Sequence, residues 1–169
     1  MIAYTFYGMI YTLTHPNKPF LEFEEISAVD VLDTLRKYTF ARINVKPTGG
    51  SNKSIDGEVL HEAEKYVSYT VKRIKNLCPK IIVCCGNQND HNFILQDLLN
   101  KHGFHFEWTD TQAVWIDKEY DIIAIDSYHP SYVLYGYPEK DMYNDIVKSL
   151  FNYITKNRHN QIEHENYQK

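Results

Sequence analysis

Apolar positions recur at spacings of three and four from Asp56 to Leu77. Val59, Ala63, Tyr66, Val67, Thr70, Ile74 and Leu77 fall on one face, which predicts an amphipathic helix. Pro79 closes it, and Lys80 to Cys85 then reads as a buried strand ending at Gly86. Upstream, Tyr38 to Lys46 is rich in β-branched and aromatic residues and predicts a strand that Pro47 stops. Residues 47–54 are dense in turn formers. Asn89 to Lys101 predicts a short helix through Phe93, Leu95, Leu98 and Leu99, with Gly103 as its stop. Thr111 to Ile116 and Asp121 to Ile125 read as two more short strands. Lys140 to Lys156 forms a last amphipathic helix through Met142, Tyr143, Ile146, Val147, Leu150 and Ile154. Glu25 to Arg36 is helical in period through Ile26, Val29, Leu32 and Leu35, whereas Ile2 to Leu13 fits either a strand or a helix.

Strands alternating with helices imply an α/β fold: a three-layer α/β/α arrangement around a mostly parallel central sheet of about four strands. Residues 1–156 would make one domain, and residues 157–169 a polar, fraying C-terminal tail. Ligands of such sheets bind beyond the carboxyl ends of the strands. Three loops leave those ends, at residues 44–54, 86–89 and 127–135, and the topology expects them to converge on one cleft.

Composition narrows the class. With 169 residues, 43% of them apolar and 24% charged, the chain is long enough for a sizeable core and is neither disordered, collagenous nor disulfide-dense. It has no apolar run of the roughly 20 residues a membrane span needs, and its first residues lack the basic start of a signal peptide. The expectation is a soluble cytoplasmic protein. The net charge of −4 is unevenly spread: residues 1–35 carry −4, residues 36–80 carry +6 and residues 81–169 carry −6. The basic third is either a footprint for a polyanion or the solvated face of one helix. The three cysteines, Cys78, Cys84 and Cys85, have no spacing suited to zinc or an iron–sulfur cluster. They are read as buried free thiols, and neither metal nor cofactor is expected.

Few residues have the setting for chemistry. His129, in His129-Pro130-Ser131 directly after a predicted buried strand, is placed to donate a hydrogen bond to charge developing on a substrate. The alternative is a loop histidine packed against nearby tyrosines. Asn44 lies near the end of a strand of core residues, and its amide pairs one donor with one acceptor, which suits the edge of a nucleobase. The alternative is an asparagine that ties down the neighbouring Gly-rich loop. Thr48-Gly49-Gly50-Ser51 could offer backbone N–H groups to a phosphate, but it is neither a Walker A loop nor a GxGxxG turn. Tyr128, Tyr132, Tyr135 and Tyr137 could stack on bases, in a chain that carries fourteen tyrosines.

Taken in order, these segments resemble the uracil-DNA glycosylase superfamily, most nearly its bacterial and archaeal branches, over about Phe20 to Lys148. Phe40-Ala-Arg-Ile-Asn-Val-Lys-Pro47 is similar to the family strand whose Asn reads uracil, followed by a Lys-Pro-type loop that contains Lys46. Pro79-Lys-Ile-Ile-Val-Cys-Cys-Gly86 resembles the family's Pro, hydrophobic strand and Gly unit. Tyr128-His-Pro-Ser-Tyr-Val-Leu134 resembles the second active-site motif, in which the His stabilises the leaving base and the following residues, here Ser131 and Tyr132, enter the DNA minor groove.

The resemblance implies a DNA partner, a base flipped out of the duplex, and hydrolysis of its N-glycosidic bond. His129 would donate to the base oxygen, Asn44 would hold its edge, and Phe20 would stack on it. A catalytically silent relative that binds DNA, a nucleotide or a protein is the alternative. The first family motif, a Gly-x-x-Pro-Gly-like loop with its Asp, Glu or Asn, is not found. In one alignment Phe6-Tyr-Gly-Met-Ile10 takes the place of its strand and loop; in the other Tyr4 to Leu13 is the helix after it. The cluster cysteines of the thermophilic branches are missing as well.

Overall fold

The computed structural model describes residues 1–44, 56–86, 93–111, 113–128, 136 and 138–167, with side chains described except at 56–59, 86, 93–94, 128 and 158–167. The chain is mixed α/β and divides into two compact units. One is built from Met1–Thr39, Asp110–Val114 and Pro130–Lys169; the other from Phe40–Thr109 and Trp115–His129.

The first unit is helical. Its α1 (Ile2–Thr14) packs against α2 (Ala28–Lys37) and α6 (Glu139–Tyr167). The segment that fits either strand or helix is therefore helical. The residues α1 buries are small, Thr5, Gly8 and Thr12, so a neighbour can approach its backbone closely. Ser27 caps α2 by accepting from the N–H groups of Val29 and Asp30, which meets two donors that the helix itself leaves open. On α6, Met142, Tyr143, Ile146, Val147 and Leu150 are buried in the expected register. The helix continues past Lys156 to Tyr167, through residues read as the tail.

The second unit holds the sheet. The helix expected over 56–77 is two, α3 (Asp56–Lys65) and α4 (Val67–Leu77), interrupted at Tyr66, whose φ of −105° and ψ of 12° depart from helical values. Cys78 ends α4 in the left-handed region. Then come β1 (Ile81–Gly86), α5 (Phe93–Asn100), β2 (Glu107–Trp108), β3 (Val114–Asp117) and β4 (Ile122–Tyr128). The sheet order is β1-β4-β3-β2.

Four strands are present, but the expectation of a mostly parallel sheet is corrected. Only β1 and β4 pair in parallel; β2 and β3 pair antiparallel, and β3 and β4 form a hairpin. The reason is connection length. Residues 118–121 alone separate β3 from β4, whereas a parallel crossover takes about a dozen residues or more. β1 and β4 are far enough apart in sequence to hold α5 between them.

Strand alternation puts Ile82 and Cys84 of β1 with Ile122 and Ala124 of β4 on one sheet face. There they share a core with Ile74 of α4, Leu99 of α5, Phe104 and Phe106. Asp117, 1% exposed, accepts from the backbone N–H of His105 at 2.6 Å and of Tyr120 at 2.9 Å. It thereby pins the turn before β4. The strand expected over 38–46 joins no ladder in its described part, residues 38–44.

Candidate active site

The parallel pair sets the geometry of the site. β1 and β4 run side by side in the register Ile81↔Ile123 through Cys84↔Asp126 to Gly86↔Tyr128. Their carboxyl ends thus lie one strand spacing apart, the usual place for a ligand in parallel structure. β4 starts apolar, Ile122 to Ile125, and turns polar at Asp126-Ser127-Tyr128. The polar residues fall at the carboxyl end.

Asp126 is the chemically distinct group there. It continues the face of Ile122 and Ala124, pairs in register with Cys84, and accepts a 2.5 Å hydrogen bond on Oδ1 from Nε2 of Gln96. Gln96 is 3% exposed and lies in the first half of α5, among Leu95, Leu98 and Leu99. Its Oε1 is buried without a hydrogen-bond partner among the described residues, as is the hydroxyl of Ser127. Burial pushes the Asp126 carboxyl up from 3.8 to about 6, and the Gln96 bond, which favours the charged form, opposes that rise. A carboxyl with that affinity changes charge near neutral pH, where a proton donor or acceptor is useful.

The thiols differ from expectation. Cys84 is buried, and its pKa is driven well above the ordinary thiol value, first by burial and then by the Asp126 and Cys85 charges. It is a poor nucleophile. Cys78 and Cys85 reach solvent, which corrects the reading of three buried thiols. Even so, the protein around Cys85 raises its pKa, with the Arg42 charge acting the other way. Among the described residues no three His, Cys, Asp or Glu side chains cluster as metal ligands, and no helix is long and apolar enough to cross a membrane.

The sequence-predicted site residues fare differently. Asn44 is exposed, so water can satisfy its amide; it follows Ile43, which packs on the sheet-face core, and Arg42, whose charge is felt at Cys85. Phe20 stands in the aromatic cluster of the other unit, with ring centroids 5.6 Å from Phe151 and 6.1 Å from Tyr143. That packing accounts for its ring without a base against it. Lys46, His129, Ser131 and Tyr132 lie outside the described residues. The α1 helix removes the alignment that makes Phe6 to Ile10 a strand of the first motif.

The basic third of the chain includes an exposed helical face. Lys72, Arg73 and Lys75 project from α4; Arg73 lies 5.5 Å from the Tyr69 ring centre and donates to its hydroxyl at 3.0 Å. Lys75 lies over Phe104 and Tyr120, at 5.4 and 4.9 Å from the ring centres. Arg73 and Lys75 are therefore partly engaged within the unit.

Asp126 and Gln96 are the residues that pattern reading passes over. The usable signal was an acid directly after an apolar strand run, together with a Gln inside an otherwise apolar helix. No protein-family model, curated protein or solved structure matches the chain.

Proposed function

We propose that this is a uracil-DNA-glycosylase-like enzyme that extrudes a base from DNA and hydrolyses its N-glycosidic bond beyond the carboxyl ends of β1 and β4. The supporting observation is the register Gly86↔Tyr128, which sets the last residues of β1 and β4 side by side, with His129 next in the chain after Tyr128. In this reading His129 donates to the base oxygen as negative charge develops there, and Asn44 pairs with the base edge. Lys46 meets the backbone, while Ser131 and Tyr132 enter the minor groove. The exposed Lys72 of α4 adds sequence-independent attraction to phosphate. α4 and α5 supply one helical layer on the sheet, and a second on its other face, making three, belongs to the proposal.

A catalytically silent DNA-binding relative is the second reading. It is favoured by α1, which leaves residues 1–20 without a strand and loop for the first motif.

The test is incubation with single- and double-stranded oligonucleotides that contain uracil or another altered base, followed by assay for alkali-labile abasic sites. Strand scission after alkali that His129→Ala abolishes supports the enzyme. Salt-sensitive binding without scission supports the silent relative. Absence of both scission and binding removes both readings.

A further inference from the structure

We infer that Asp126, oriented by Gln96, is the carboxylate of this site: it touches the sugar of the extruded nucleotide, steadies the positive charge that grows there, and accepts a proton from the attacking water. The inference rests on the hydrolytic reading above and supplies the acid that its first motif does not.

Three observations carry it. Asp126 sits near the carboxyl end of β4, on the parallel pair from which the His129 segment departs. Its Oδ1 is fixed by Gln96, a nearly fully buried amide that reaches across from α5. That amide leaves its own oxygen unpaired among the described residues. A buried polar atom without a partner is costly, and a ligand or water that completes it explains its place.

Asp117 shows what a purely structural acid looks like in the same unit, since both of its oxygens are taken by backbone N–H groups. The groups facing Asp126 are Gln96 from α5 and Cys84 from β1. Burial keeps that thiol protonated, and among the described residues burial and the Gln96 bond are what shift the carboxyl.

The chemistry balances without a further reactant. The C1′–N bond breaks and its electron pair leaves on the base nitrogen. A water oxygen bonds to C1′, one of its protons passes to an Asp126 oxygen, and solvent returns that proton to the base. Asp126 must begin ionised, so the rate should rise with pH to a plateau above about pH 6.

The experiment measures single-turnover release of base from an oligonucleotide with one deoxyuridine, over roughly two pH units either side of the Asp126 titration. Melting curves accompany each variant. Asp126→Asn is expected to lower the plateau rate about 10²–10⁴-fold and to flatten the acidic limb. Gln96→Leu removes the bond that both orients Asp126 and lowers its pKa, so it should move that limb to higher pH and also lower the plateau, by less than Asp126→Asn does.

An Asp126→Asn protein that cleaves at the wild-type rate with the same limb overturns the inference and leaves the glycosylase reading standing. A Gln96→Leu protein whose limb does not move overturns it as well, even if Asp126→Asn fails to fold. Wild-type protein that releases no base at any pH removes the glycosylase reading, and this inference with it.

Discussion

At the scale of single residues, Gly8 of α1 is closely packed against Tyr143 of α6. A Cβ there would lie 2.6 Å from Cε2 and 2.7 Å from the hydroxyl oxygen of Tyr143. The tyrosine cannot easily withdraw. It is fully buried, its hydroxyl donates to the Leu21 carbonyl at 2.8 Å, and its ring stands 5.5 Å from that of Phe23. Burial also raises its pKa, so it stays a donor at any ordinary pH. Gly8→Ala sets two effects against each other. Alanine gains up to about 1 kcal/mol in helix propensity, while overpacking a fixed ring costs about 1–3 kcal/mol. Because the ring is anchored, the loss should win by on the order of 1 kcal/mol. Urea unfolding should show a lower midpoint with an unchanged slope. An equal or higher midpoint would mean that the ring moves freely.

At the scale of elements, the end of α4 offers the opposite prediction. Cys78 closes the helix at φ 45° and ψ 53°, a left-handed conformation that glycine adopts without strain. Relief of about 1–2 kcal/mol is offset by the added freedom of glycine when unfolded, about 0.5–1 kcal/mol, and by loss of the Sγ–H bond to the Lys75 carbonyl at 2.9 Å. Cys78→Gly should therefore raise the melting temperature slightly; a fall would assign the thiol bond more than its expected share. The same element shows what a sequence makes legible. Val67, Thr70 and Ile74 bury one face because period 3.6 survives in the residue order, and Gly103, at φ 87°, stands after α5 where a stop was read. Where period is short or hidden, reading fails. β2 has two residues and so no alternation to find, and α1 buries small residues that no hydrophobic count picks out. Alternating helices and strands suggest crossovers and hence parallel strands, but the β3–β4 connection is too short for one. Asp126 escapes notice in the sequence because an acid after an apolar run reads as the start of a loop. Only the strand register and the contact with Gln96 put it on the sheet.

At the scale of the whole molecule, that carboxyl couples stability to pH, whatever reaction the site performs. In the unfolded chain Asp126 should titrate near its ordinary 3.8, whereas in the fold it does so at about 6. Below the lower value both states hold the proton and no difference arises. Between the two, the unfolded chain releases its proton while the folded one retains it, so rising pH favours unfolding. Above about pH 6 both are ionised and the loss stops growing. Other shifted groups add their own pH dependence; Glu24, for example, is moved the other way by its hydrogen bond with Lys140. The total curve therefore hides the effect, and a difference between two proteins isolates it. Asp126→Asn keeps the shape and removes the charge. The melting temperature of the variant minus that of the wild type should climb across the window from about pH 4 to 6 and then level off. A flat difference would mean that Asp126 titrates normally in the fold. A falling one would mean that the carboxylate is stabilised there by groups stronger than Gln96. Either result would also strip the proposed proton acceptor of its working range, so this equilibrium measurement needs no substrate to bear on the chemistry.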